Sequence, residues 1–153
     1  MTLPELVVLG GDIFASKCDF LASPVNCIGQ TGALAGVFDR KFAWWAQAYR
    51  HACRDKTLDL GRPVVHMNPT PDAAPRGVIS FATMRYPGSP ADANAIREGL
   101  AALAEDPVLS GASIALPALG CGVGGFEFAV LEKMVRASGL VEAANLVELY
   151  RPR

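Results

Sequence analysis

Six short apolar runs alternate with segments of helical period, and this alternation restricts the possible folds more than any other feature of the chain. The runs are Glu5–Leu9, Phe20–Val25, Val64–Met67, Val78–Ala82, Ile114–Leu116 and Leu146–Tyr150. Their lengths suit strands, and strands that alternate with helices form a sheet covered on both faces. Three helices are expected between them. Phe42–Arg54 carries Trp45, Tyr49 and Ala52 on one side. Pro90–Ala104 has Ser89 at the N-cap, Pro90 in the first position and Asp92 at N3, with Ile96, Leu100 and Leu103 turned inward. Glu127–Ala137 is expected to bury Val130, Leu131 and Met134 and to stop before Gly139. Asn68–Arg76, with three prolines, reads as a surface loop.

A length of 153 residues suits one domain, residues 1–153. A hydrophobic share of 51% and a charged share of 19% provide a core and exclude intrinsic disorder. Net charge is −1 with Lys and Arg dispersed, which argues against a broad electrostatic grip on nucleic acid. The end of a nucleic acid can still enter a pocket. Cys18, Cys27, Cys53 and Cys121 form no CxxC pair and follow no signal peptide. They read as reduced thiols, and a cytoplasmic location is expected. No apolar run approaches the roughly 18 residues of a membrane span, and no metal-ligand constellation is visible.

The segment Leu116-Pro117-Ala118-Leu119-Gly120-Cys121-Gly122-Val123-Gly124-Gly125-Phe126 places four glycines in six residues between a strand and a helix. Glycine lets backbone N–H groups converge and lets a ligand approach without meeting a Cβ. With a helix N-terminus following, the loop suits a diphosphate; a tight turn without a ligand is the alternative. Gly120, Gly122 and Gly125 match GxGxxG, but that fingerprint belongs in a first βαβ unit, and here only about thirty residues remain.

Three other segments follow strands and should gather at the same sheet edge. In Gly10-Gly11-Asp12-Ile13, Asp12 can accept from a base amino group or cap the next turn. In the run from Pro24 to Gly36, Asn26 offers a donor and an acceptor to a sugar hydroxyl. The third segment is Ala82-Thr83-Met84-Arg85-Tyr86-Pro87.

Taken together these segments resemble the macrodomain family, an ADP-ribose-binding module. The resembling stretches are Gly11-Asp12-Ile13-Phe14, Val25-Asn26-Cys27-Ile28-Gly29, Phe81-Ala82-Thr83-Met84-Arg85, the glycine loop and a closing strand ending at Tyr150. They cover nearly the whole chain. The nearest branch in pattern is that of the DNA ADP-ribosyl glycohydrolase antitoxins and the human terminal ADP-ribose glycohydrolase. The resemblance implies a three-layer α/β/α sandwich with a central mixed sheet. It also implies binding of ADP-ribose, free or on a modified protein or nucleic acid, with no cofactor and a monomer favoured. The adenine would meet Asp12, Ile13 and Tyr150. The distal ribose would be surrounded by Asn26 and Gln30, Thr31, Gly32, Ala33, Leu34, Ala35 and Gly36, with Thr83 and Met84 nearby. The diphosphate would be cradled by Leu119, Gly120, Cys121, Gly122, Val123, Gly124, Gly125 and Phe126. The extra C-terminal region of the antitoxins is not expected beyond Arg153.

The resemblance further implies hydrolysis of mono-ADP-ribose from acidic side chains or from a nucleic-acid base of thymidine type. The branch uses a lysine where this chain has Met84, and its human relative an aspartate where this chain has Gly125. A thioether carries no ionisable proton and is a poor nucleophile here. Hydrolysis would then rely on a positioned water, with Asn26, Gln30 and Arg85 as candidate catalytic groups. Non-catalytic recognition of ADP-ribose is the alternative. For Arg85, a surface ion pair and a phosphate contact weigh equally. Asp39 reads as a solvated residue and Glu127 as a complement to the helix dipole. Cys121 reads as a packed small residue rather than a nucleophile, and His66 as a satisfied core or rim residue.

Overall fold

The computed structural model describes residues 3–122 and 125–153. Strands are β1 (Glu5–Leu9), β2 (Phe20–Val25), β3 (Val64–Met67), β4 (Gly77–Ala82), β5 (Ser113–Leu116) and β6 (Leu146–Tyr150). Helices are α1 (Ala33–Lys41), α2 (Ala43–Arg54), α3 (Ala93–Glu105), α4 (Phe128–Ala137) and α5 (Leu140–Ala144). One six-stranded sheet has the order β1-β6-β5-β2-β4-β3. Every neighbouring pair is parallel except β3 with β4, so the sheet is mixed and its antiparallel strand lies at an edge.

The side-chain period of two along each strand divides the core between the faces. Phe20, Ala22, Ile79, Phe81, Ile114, Leu116, Val147 and Leu149 pack with Ile96 and Leu100 of α3, Leu131 and Val135 of α4, and α5. Leu21, Val25, Val78, Ala82, Ala115 and Tyr150 pack on the other face with Phe38 of α1 and Trp45 and Tyr49 of α2. Both faces are covered, hence the continuous apolar strands and the three-layer α/β/α architecture. Trp45 is fully buried, stacks on Tyr49 at 5.2 Å between ring centroids and donates Nε1–H to Ser80 Oγ at 3.0 Å.

The third helix starts later than its N-terminal residues suggest. Asp92, not Ser89, is the N-cap of α3, accepting from Ala95 N–H at 2.9 Å. Its own N–H donates to Thr83 O at 2.9 Å, which ties the cap to the end of β4 and prevents an earlier turn. On α4, Val130 is 44% exposed while Leu131 and Val135 are buried. The inward stripe is therefore shifted from the expected one. Helix α1 begins inside the expected Gln30–Gly36 loop, and α5 was not foreseen. No helix among the described residues is long and apolar enough to cross a membrane.

Candidate functional site

A cavity of about 840 Å³ opens at the carboxyl ends of the parallel strands. Its walls come from the segments after β1, β2, β4, β5 and β6, where open α/β sheets bind ligands. The order of those strands across the sheet orders the chemistry. Asp12 follows β1 and Tyr150 ends the adjacent β6, the glycine loop follows β5, and Asn26 and Met84 follow β2 and β4.

At the first end, Asp12 caps a short 3-10 helix, Ile13–Ala15, with Oδ1 accepting from Phe14 N–H at 2.9 Å. Capping is thus its observed role, and the residue also lines the cavity. Ile13 is buried beside it. Tyr150 lines the same end and donates its hydroxyl to Glu148 Oε1 at 3.0 Å. Burial, and that hydrogen bond, push its pKa up.

In the middle, Gly120 adopts φ +75°, and a Cβ there would come within 2.9 Å of Ile96 Cδ1 and 3.1 Å of Ala91 Cβ. Only glycine lets the loop lie this close to α3. Gly122 lines the cavity, a Cβ there would meet no described atom within 4 Å, and its φ is not positive, so a side chain fits without backbone strain. Leu119, Cys121, Gly125 and Phe126 donate their N–H groups within the segment, to Pro117, Ala118, Gly122 and Gly120 carbonyls respectively. Those four donors hold the loop in shape rather than face a ligand. Leu119, Gly125 and Phe126 do not line the cavity, whereas Gly120, Cys121 and Gly122 do. Val123 and Gly124 lie outside the described residues. Burial pushes the Cys121 thiol up, which disfavours the thiolate a nucleophile needs.

At the far end, Asn26 is almost fully committed to its own loop. Its Oδ1 accepts from Ile28 N–H at 3.0 Å, Gln30 N–H at 3.4 Å and the Tyr49 hydroxyl at 2.9 Å, and its Nδ2 donates to Gln30 O at 2.9 Å. The acceptor expected to serve a sugar hydroxyl is therefore used internally. Thr31 Oγ1 donates to Asp39 Oδ2 at 2.7 Å, and Arg50 Nη2 donates to the same oxygen at 2.7 Å. Arg50 Nε also reaches Gly29 O at 3.1 Å. Asp39 is accordingly the anchor of this loop, not merely a solvated residue. The hydrogen bonds from Thr31 and Arg50 hold its carboxyl below the usual range. Gln30, Thr31, Gly32, Ala33, Leu34 and Ala35 line the cavity, and buried Gly36 continues α1 behind them.

Thr83 and Met84 also line this end. Arg85 does not; its Nη2 lies 3.3 Å from Asp59 Oδ1 in an exposed ion pair. Of its two expected roles, the surface pair is the one observed. Among the described residues lining the cavity, Asp12 is the one carboxylate side chain, and it belongs to the opposite end. A pair of carboxylates flanking a sugar bond is therefore lacking there. Sequence reasoning missed Lys41, Arg151 and Arg153 as cavity cations and Tyr49 and Arg50 as supports of the Asn26 loop. Nothing in their spacing marks Tyr49 and Arg50, whose contacts with Asn26 and Gly29 join positions 23 and 21 residues apart. No group of three or more His, Cys, Asp and Glu among the described residues is placed to hold a metal.

Comparison with known proteins agrees with this geometry. The chain is 31% identical over 142 residues to a DNA ADP-ribosyl glycohydrolase of Thermus aquaticus, covering 92% of this chain and 39% of that protein. It is 28% identical over 164 residues to a DNA ADP-ribosyl transferase–DNA ADP-ribosyl glycohydrolase fusion protein of Thermosipho africanus, covering 97% of this chain and 42% of the relative. This chain thus spans less than half the length of these relatives. The solved macrodomain of Thermus aquaticus DarG superposes with a TM-score of 0.88 at 29% identity, covering 97% of this chain and 99% of that one. Thermosipho africanus DarTG in complex with ADP-ribose superposes with a TM-score of 0.83 at 26% identity, covering 95% and 42%. The family described as "Macro domain" matches residues 22–135. The chain belongs to the macro domain family.

Proposed function

We propose that this chain binds ADP-ribose in the cavity and releases it from a modified nucleic-acid base. One observation carries the reading. Strand order sets an acid and an aromatic ring, then a glycine loop, then an amide-rich loop in sequence across the cavity. Adenine, diphosphate and distal ribose follow one another in the same order in ADP-ribose. Asp12 keeps Oδ1 on its cap and offers Oδ2 to the adenine amino group. Gly122 admits the diphosphate, and the stapled loop from Asn26 to Ala35 closes on the distal ribose. The solved relative holding ADP-ribose and the curated relatives named as DNA ADP-ribosyl glycohydrolases support this assignment.

Hydrolysis here runs without an enzyme nucleophile. Met84 has no reactive lone pair of the required strength, and burial disfavours the thiolate of Cys121. A water oxygen adds to the anomeric carbon of the distal ribose as the glycosidic bond breaks, its electrons leaving with the base. The proton released by the water passes to that base or to a diphosphate oxygen. The protein contributes orientation and exclusion of competing water, which together are worth several kcal/mol, ~7 or more in well-aligned cases.

Met84 also favours a second reading, recognition of ADP-ribose without turnover. A substrate panel separates the two: thymidine-linked, acidic-side-chain, serine-linked and arginine-linked mono-ADP-ribose, followed for release of ADP-ribose. Turnover of the thymidine-linked substrate is expected, together with micromolar binding of free ADP-ribose by calorimetry, about −7 to −8 kcal/mol. Binding without turnover of any substrate would establish the reader. Absence of binding at millimolar ADP-ribose would overturn both.

A further inference from the structure

Two large apolar side chains are exposed to water beside the cavity. Ile28 is 44% exposed and Tyr86 is 56% exposed. Each sits between residues that line the cavity, Ile28 between Asn26 and Gln30, Tyr86 between Met84 and Pro87. The two loops run side by side, with Cys27 N–H donating to Arg85 O at 3.1 Å. They therefore form one rim of the distal-ribose end.

Guanidinium groups surround that rim. Arg85 and Arg62 both reach Asp59, at 3.3 and 3.2 Å. Arg50 pairs with Asp39 at 2.7 Å and donates Nε–H to Gly29 O at 3.1 Å, beside Ile28. Asp59 thus faces two arginines, so this cluster carries excess positive charge on a chain whose formal net charge is −1. The ion pairs are exposed and hence weak, and each arginine retains N–H groups for another oxygen anion. Aromatic and aliphatic surface between cations fits a single nucleic-acid strand, whose bases stack while its phosphates pair with arginine. A polypeptide offers no such regular alternation of flat rings and negative charge.

We infer that the Ile28–Tyr86 rim, with Arg62 and Arg85, holds the single strand flanking the ADP-ribosylated base. Tyr86 stacks a base adjacent to the modified one, and the arginines take its phosphates. The dispersed charge of the sequence hid this feature, because folding brings Arg50, Arg62 and Arg85 from three separate segments to the two loops. The inference rests on the proposed nucleic-acid substrate, and the experiment keeps the two apart.

Tyr86→Ala, Tyr86→Phe and Arg62→Gln are made in the full chain; none of these residues lines the cavity. Four probes are titrated: free ADP-ribose, an ADP-ribosylated thymidine nucleoside, a thymidine-ADP-ribosylated ten-nucleotide single strand and an ADP-ribosylated acidic peptide. The wild type should bind the strand more tightly than the nucleoside. Tyr86→Ala should weaken the strand five-fold or more while free ADP-ribose changes less than two-fold, and Tyr86→Phe should restore the strand affinity. Arg62→Gln should lower the slope of log affinity against log salt by about 0.7, one single-strand phosphate contact. Equal affinity of wild type for nucleoside and strand would overturn the inference while leaving the proposed function standing. So would equal losses for the strand and an ADP-ribosylated acidic peptide, which would make the rim a protein-docking surface. Failure of free ADP-ribose to bind the wild type would overturn the underlying function, and this inference with it.

Discussion

Removing the Asn26 side chain takes away the acceptor for Ile28 N–H, Gln30 N–H and the Tyr49 hydroxyl together. Left unsatisfied, such groups cost about 1–3 kcal/mol each when buried, although the Tyr49 hydroxyl retains the Asn26 carbonyl at 2.9 Å. Asn26→Ala is thus expected to lower stability by about 2–3 kcal/mol and to weaken ADP-ribose binding because the loop opens. Asp12→Ala differs in kind. It removes one cap, about 1 kcal/mol of stability, and the proposed charge-assisted contact to adenine, worth about 1–3 kcal/mol of binding. Thermal melts and calorimetry on both variants would separate them: equal stability losses, or unchanged affinity for Asp12→Ala, would refute the assignment. Asp12 and Asn26 were both recognisable in sequence as polar residues just after apolar strands. That Asn26 faces inward to its own loop was not, because its partner Tyr49 lies on α2.

Helices and loops were legible where a local rule sets them and obscure where packing does. Phe42–Arg54 matched α2 almost residue for residue, since its apolar stripe is strong. The start of α3 differed because the contact from Asp92 N–H to Thr83 O is tertiary. Within the glycine loop, spacing marked a ligand segment but did not separate glycines needed for packing from those needed for approach. Geometry separates them. Gly122→Glu should fold normally by circular dichroism and lose ADP-ribose binding, through clash and repulsion of the diphosphate. Gly120→Ala should instead lower the melting temperature, because its Cβ meets Ile96 at 2.9 Å from a positive φ. A folded Gly122→Glu with wild-type affinity would show that the diphosphate lies elsewhere.

Across the whole molecule, both faces of the sheet are sealed, and one consequence is a neutral histidine. His66 on β3 lies with Nε2 2.9 Å from Ser80 Oγ, and burial pushes its pKa down to about 4 from the ordinary 6.5. The unfolded chain therefore takes up this proton before the folded one does. Stability linked to His66 is complete above about pH 6.5 and is lost as pH falls through about 4. Between those values the wild type should lose melting temperature more steeply than His66→Asn. Parallel melting curves for the two proteins across that range would exclude the linkage. The alternation of apolar runs disclosed the covered sheet in advance; the position of β3 as its antiparallel edge came only from pairing.

Strand polarity also divides the molecule into two ends with different tolerances. Parallel strands send their carboxyl ends, and with them every loop of the cavity, to one side. The connection from β3 to β4, Asn68–Arg76, enters β4 at its amino end and so lies on the other side. None of its residues lines the cavity. This turn is accordingly a natural handle: a dye, an affinity tag or a tether to a surface attached there would leave the recognition end free.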